Sequence, residues 1–146
     1  MDALDRLTAY IDQVPTGLGN LSEAQITSQQ PGKWSRKEIL GHLIDSAINN
    51  LKRFTDAQFA DGSYLVQPYN QDELVRVNQY QHVPLGQLLV LWQSLNRQIL
   101  VVTRAIPEDT LRQPIQFSQI NTKLKTLEWL INDYVAHLEH HLKTLL

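Results

Sequence analysis

The chain has no cysteine at all and a single methionine among its 146 residues. Without cysteine there is no disulfide, thiolate metal ligand, cysteine nucleophile or redox pair within the protein, so any thiol chemistry must take its sulfur from a second molecule. An excess of positive charge is also missing. Thirteen Lys and Arg against fifteen Asp and Glu give a formal charge of −2 with no basic run, which argues against nucleic acid as a partner because the phosphate-neutralising surface is lacking. No apolar run approaches the roughly 20 residues of a membrane span. The opening MDALDRLTAYIDQV has acidic residues among its apolar ones and lacks a signal-peptide core, so a soluble cytoplasmic protein is expected. A Gly-rich phosphate loop and a Ser/His/Asp order are absent as well.

What remains is an ordinary globular composition, 42% hydrophobic and 19% charged, which suits one domain over residues 1–146 with a full core. Helical periodicity runs through residues 2–14, 35–59, 84–106 and 126–146, with a weaker turn of helix at 21–28. Ser35 followed by Glu38 marks the second long helix as starting from a capping box. Pro84 fits the first turn of the third helix, Pro107 falls where that helix should stop, and Thr126 is a candidate N-cap for the fourth. The connection between the second and third helices is long for a bundle and predicts a crossover with its own short helix around 71–78. Residues 108–125, which include Pro114 and a β-leaning PIQF piece, are read as a loop, and no stretch reads as a sheet. The expected fold class is all-α, a four-helix bundle with a long crossover between helices two and three.

His137 and His141 are four residues apart, a spacing that stacks two imidazoles on one helix face and lets them hold one metal ion. On the fourth helix Leu127, Ile131, Tyr134, Leu138, Leu142 and Leu145 form the core stripe. His141 lies at its edge, His137 borders it, and His140 points away. His42, on the second helix, is a third nitrogen that would leave positions open for water or substrate. Periodicity does not bury His42: Ile39, Leu40, Leu43, Ala47, Leu51 and Phe54 define the apolar side. His42, Ser46, Asn49 and Arg53 instead make one polar stripe, either a solvated face or the wall of a cleft. HxxxH is a short pattern, and His141 also fits a core-margin imidazole satisfied by one hydrogen bond. Asp45 and Glu128 are candidate carboxylates for orienting a ligating ring. Trp129, on the polar face near His140, is either an interface residue or covered by the long loops.

Three segments in order, QQPGKWSRKEILGHLIDSAINNLKRF, QPYNQDELV and TLEWLINDYVAHLEHHL, resemble the DinB/YfiT-like superfamily over nearly the whole chain. The resemblance implies a metal-binding four-helix bundle, usually a homodimer, with His42, His137 and His141 as ligands to a divalent metal, Zn²⁺ or Ni²⁺. Better-understood members of that family are S-transferases that join bacillithiol, mycothiol or a related small thiol to an electrophile, and one branch carries a metal-dependent hydrolase label. For this chain that implies a thiol transferase acting on a small-molecule thiol and an electrophilic substrate. Asn49 and Arg53 would line the pocket, with Arg53 pairing with a carboxylate and Tyr69 of the crossover loop closing over the cleft. A hydrolase using the same site is the alternative, and a non-enzymatic helical binding or stress-related protein is the third reading.

Overall fold

The computed structural model describes residues 2–121 and 123–146; Met1, and Thr122 inside the segment expected to be a loop, lie outside them. Among the described residues six α-helices form in chain order: α1 (Asp2–Gly19), α2 (Glu23–Thr27), α3 (Arg36–Asp56), α4 (Gln71–Asn78), α5 (Leu85–Arg104) and α6 (Leu127–Leu145). The four long ones, α1, α3, α5 and α6, make the bundle, and α4 lies in the crossover where the sequence places it. Leu7, Leu40, Ile44, Phe54, Trp92, Ile99 and Ile131 fill the centre, all fully buried.

The helix starts follow from capping chemistry. Ser35 accepts from the Glu38 amide while the Glu38 carboxylate accepts from the Ser35 amide, so both donors at the start of α3 are satisfied. Thr126 caps α6 by accepting from the Trp129 amide at 3.1 Å. These two caps fix where His42 and the His137/His141 pair fall along their helices. Glu139 then ties α6 to α1, accepting from Arg6 Nε at 2.7 Å and from the Tyr10 hydroxyl at 2.8 Å.

Two expectations are corrected. The first helix does not stop at Val14: it runs through Pro15 to Gly19. A proline inside a helix removes the amide that would bond to the carbonyl four residues back, here that of Ile11. Gln93 of α5 supplies the missing donor, its Nε2 lying 3.0 Å from Ile11 O. The second correction concerns the loops, which do contain a sheet. Strands β1 (Tyr64–Leu65), β2 (Pro114–Gln116) and β3 (Leu124–Thr126) pair in the order β1-β2-β3, the first pair parallel and the second antiparallel. The β-leaning PIQ piece is the middle strand, and it joins the crossover to the segment before α6. This short sheet brings the two long connections together at one end of the site. No helix among the described residues is long and apolar enough to cross a membrane.

The Pro15 repair is directly testable. Gln93→Leu is expected to lower the unfolding free energy by about 1 kcal/mol, the net value of one hydrogen bond. In a Pro15→Ala background, where the backbone regains the missing amide N–H, the same change should cost clearly less in denaturant melts. Equal losses in both backgrounds would show that Gln93 acts by other means.

Candidate metal centre

The α3 and α6 faces meet so that three imidazoles point their Nε2 atoms at one place. His42 Nε2 lies 3.1 Å from His137 Nε2, and His141 Nε2 lies 3.2 Å from the same atom. All three ligand atoms are within 4.8 Å of one another. A tetrahedral Zn²⁺ with Zn–N bonds of about 2.0–2.1 Å sets its nitrogens roughly 3.3 Å apart, so the donor set fits a divalent ion. Hydrogen bonding alone does not account for it. A neutral ring nitrogen offers one hydrogen or one lone pair in its plane, so His137 Nε2 can satisfy one of its two close neighbours and not both. The rings pack edge to face, with centroids 4.7–5.0 Å apart.

His42 is 1% exposed, contrary to the off-centre position that periodicity assigns it. The reason is that Trp34, just before the α3 N-cap, folds its indole onto the ring with centroids 4.9 Å apart, while α6 covers the other side. Burial pushes the His42 imidazole down from its ordinary 6.5 to about 4, helped by the charges of His137 and His141. His141 is likewise pushed to about 4, first by burial and then by His137 and His140. Burial and His140 lower His137 too. Each ring is therefore neutral at pH 7, the form that ligates metal. His140 is exposed and is not part of the converging set. It stands on the rim beside His141, centroids 5.2 Å apart.

A cavity of about 440 Å³ opens against His137, between α3, α6 and the loop residues Tyr69 and Phe117. Its walls include Ser46, Asn50, Arg53, Tyr69, Asp133 and Tyr134. The polar stripe of α3 is thus a cleft wall, but Asn50 occupies it where Asn49 was expected. Asn49 is half-buried and turns its amide back to the Asp45 carbonyl at 2.9 Å, whereas Asn50 stands one turn on from Ser46 and anchors to its carbonyl at 2.8 Å. Arg53 donates from Nη2 to the Gln67 carbonyl at 2.6 Å and lies 5.2 Å from the centre of the Tyr69 ring. It forms no ion pair with a carboxylate among the described residues. Tyr69 does line the cleft, and Asn70 beside it caps α4 by accepting from the Glu73 amide.

Of the two candidate orienting carboxylates, Glu128 is exposed and Asp45 is 2% exposed. Asp45 accepts from Tyr80 and Asn78 and makes no hydrogen bond to any of the three rings. Its Oδ2 and the His42 Nδ1 are both buried without a partner. Burial raises the Asp45 carboxyl, against the pull of the Tyr80 hydrogen bond. Asp133 is the residue that sequence reasoning missed. Among the described residues it is the one carboxyl group on the cleft wall, an exposed residue whose carboxyl is raised by partial desolvation against that wall, and its position one turn before His137 was the available signal. Trp129 proves to be flanked by Phe117, just after β2, which packs edge to face at 5.6 Å, and by Lys125 of β3, whose ammonium lies 5.0 Å from its centroid.

With this geometry established, comparison with known proteins places the chain. The DinB superfamily profile matches residues 3–145. This protein belongs to the DinB superfamily. The Bacillus subtilis (strain 168) protein named "Putative metal-dependent hydrolase YfiT" is 24% identical over 144 residues, covering 94% of this chain and 79% of its own. The solved structure of Bacillus subtilis YfiT, described as having an unusual four-helix bundle topology, superposes with a TM-score of 0.78 at 20% identity, over 94% of this chain and 81% of that one. A mycothiol-dependent maleylpyruvate isomerase gives a TM-score of 0.69 at 16% identity over 97% of this chain, which spans 58% of the isomerase. At these identities the two structures establish the DinB bundle.

Depressed folded-state pKa values have a defined sign in stability. The unfolded chain takes up protons on these imidazoles near pH 6.5 and the folded metal-free chain only near 4, so their stabilising effect is complete above about 6.5 and lost as pH falls toward 4. In metal-free protein, the ring proton resonances of His42 and His141 should keep their neutral positions through pH 6 and titrate toward pH 4. Midpoints near 6.5 for both rings would contradict the packing described.

Proposed function

We propose that this DinB protein is a metal-dependent thiol S-transferase, with His42, His137 and His141 holding Zn²⁺ or Ni²⁺ and a small-molecule thiol as cosubstrate. The observation that carries the reading is the convergence of three neutral imidazoles, one of which, His137, lines a cleft that also presents Arg53 and Asp133. A divalent ion held by three neutral ligands keeps its full charge and lowers the pKa of a thiol or water bound to it. The cleft residues supply the rest. Arg53 faces the cavity without a partner carboxylate among the described residues, so it pairs with a carboxylate of the thiol cosubstrate in a charge-assisted bond. Tyr69, stacked under the guanidinium, holds that side chain in place and covers the bound molecule. Asp133 accepts the proton that the thiol loses; the sulfur then forms a bond to the electrophilic carbon as the leaving group departs with its electron pair. The absence of cysteine is consistent with sulfur arriving on a cosubstrate, and a fold neighbour is mycothiol-dependent.

Asp133 also favours a second reading, in which the same site hydrolyses a substrate. Its carboxyl keeps a proton to a higher pH than an ordinary aspartate and would protonate a leaving group. The two readings differ in one requirement. Zinc- or nickel-loaded protein incubated with a chlorobimane electrophile should accelerate conjugation only when bacillithiol or mycothiol is added, and His137→Ala should return the rate to background. Arg53→Gln should raise the KM for the thiol by about tenfold, the loss of one charge-assisted bond, with a smaller change in kcat. Turnover of ester or amide substrates without thiol, together with no thiol-dependent conjugation, would favour the hydrolase instead.

A further inference from the structure

A second approach to the site, reaching it at His141, lies on the Trp34 side and shares no wall residue with the Arg53 cleft. Two neighbouring cavities of about 330 and 360 Å³ lie there and share Lys33, Trp34, Ile39 and Thr144 as walls. One ends between Ser28 and Arg36; the other ends against His141. Trp34 precedes the α3 N-cap and Ile39 is the fourth helical residue, the two positions that pack as a hydrophobic staple. The staple gives the groove a flat, apolar floor, and the far side of that floor is His42, against which the indole packs.

Charge along the groove is uneven. At the Ser28 end its only ionisable walls among the described residues are Lys33 and Arg36. Arg36 donates to two neutral carbonyls, those of Leu145 at 3.2 Å and Gln25 at 3.3 Å. Neither cation forms an ion pair among the described residues. At the other end stand His141 and the Asp72 carboxylate, so Lys33 and Arg36 make the Ser28 end the place where the groove's own side chains attract an anion.

We infer that this groove is the binding site of the second reactant, a planar conjugated carboxylate. Its carboxylate lies between Lys33 and Arg36, its flat body crosses Trp34 and Ile39, and its uncharged end points to His141. The inference rests on the transferase reading, because joining two molecules at one centre calls for two approaches where hydrolysis needs one. An aromatic floor with cations at one end suits such a ligand through stacking and charge-assisted bonding together.

The probe is trans-cinnamate, titrated into zinc-loaded protein by calorimetry and NMR with no thiol present. Saturable binding is expected, with the ligand's ring protons shifted upfield by the indole, a shift that Trp34→Leu removes. Lys33→Glu, a change at an exposed residue, should weaken binding by about tenfold or more, while Arg53→Gln leaves it unchanged. No saturable binding, or weakening by Arg53→Gln as large as by Lys33→Glu, would overturn the assignment. Binding is read here without turnover. A failed conjugation assay therefore counts against the transferase reading alone, and failed cinnamate binding against the groove alone.

Discussion

Three imidazole nitrogens aimed at one point are the constraint on which the rest of this structure depends. His137 Nε2 lies 3.1 and 3.2 Å from two other ring nitrogens and can hydrogen-bond with only one of them, an arrangement that a divalent cation relieves and that hydrogen bonding among neutral rings does not. The supports around them make sense in that light. Capping boxes and caps set the phase of α3 and α6, and the Arg6–Glu139–Tyr10 cluster holds α6 against α1. Trp34 closes the solvent side of His42. Each keeps rings in place that would otherwise turn apart.

The two carboxyls differ in setting, Asp45 buried and Asp133 exposed at the cleft. Asp45 sits inside the bundle beneath α4, engaged by Tyr80 and Asn78, and braces the crossover. Gly41 allows this arrangement: a Cβ there would lie 2.0 Å from the Tyr80 ring, so only glycine admits the close approach. Asp133 lines the cleft together with Arg53 and His137. The small sheet serves the same cleft. By pairing β1 with β2 it draws the crossover loop, with Tyr69, and the segment after α5, with Phe117, to the same rim.

Much of this was legible in the sequence. The bundle, the crossover with its short helix, both N-caps and the three histidines follow from periodicity, capping signals and family resemblance. What was hidden had specific physical causes. Strands of two or three residues carry no period to detect, so the sheet could not be seen. His42 lies off the apolar stripe and is buried by tertiary packing of Trp34, which helical phase alone does not encode. Asn50 replaces Asn49 because a helix turn of 3.6 residues leaves both i+3 and i+4 as candidates after Ser46. Pro15 reads as a stop because its repair comes from Gln93, 82 positions beyond the Ile11 carbonyl that it serves.

The central claim is that His42, His137 and His141 hold a divalent metal. Elemental analysis of protein purified without a polyhistidine tag and without added metal tests it most directly, beside a His42→Ala variant. Close to one equivalent of zinc or nickel is expected in the unaltered protein, and its loss in the variant. Protein that is metal-free as isolated, and that takes up neither Zn²⁺ nor Ni²⁺ when they are supplied, would contradict it.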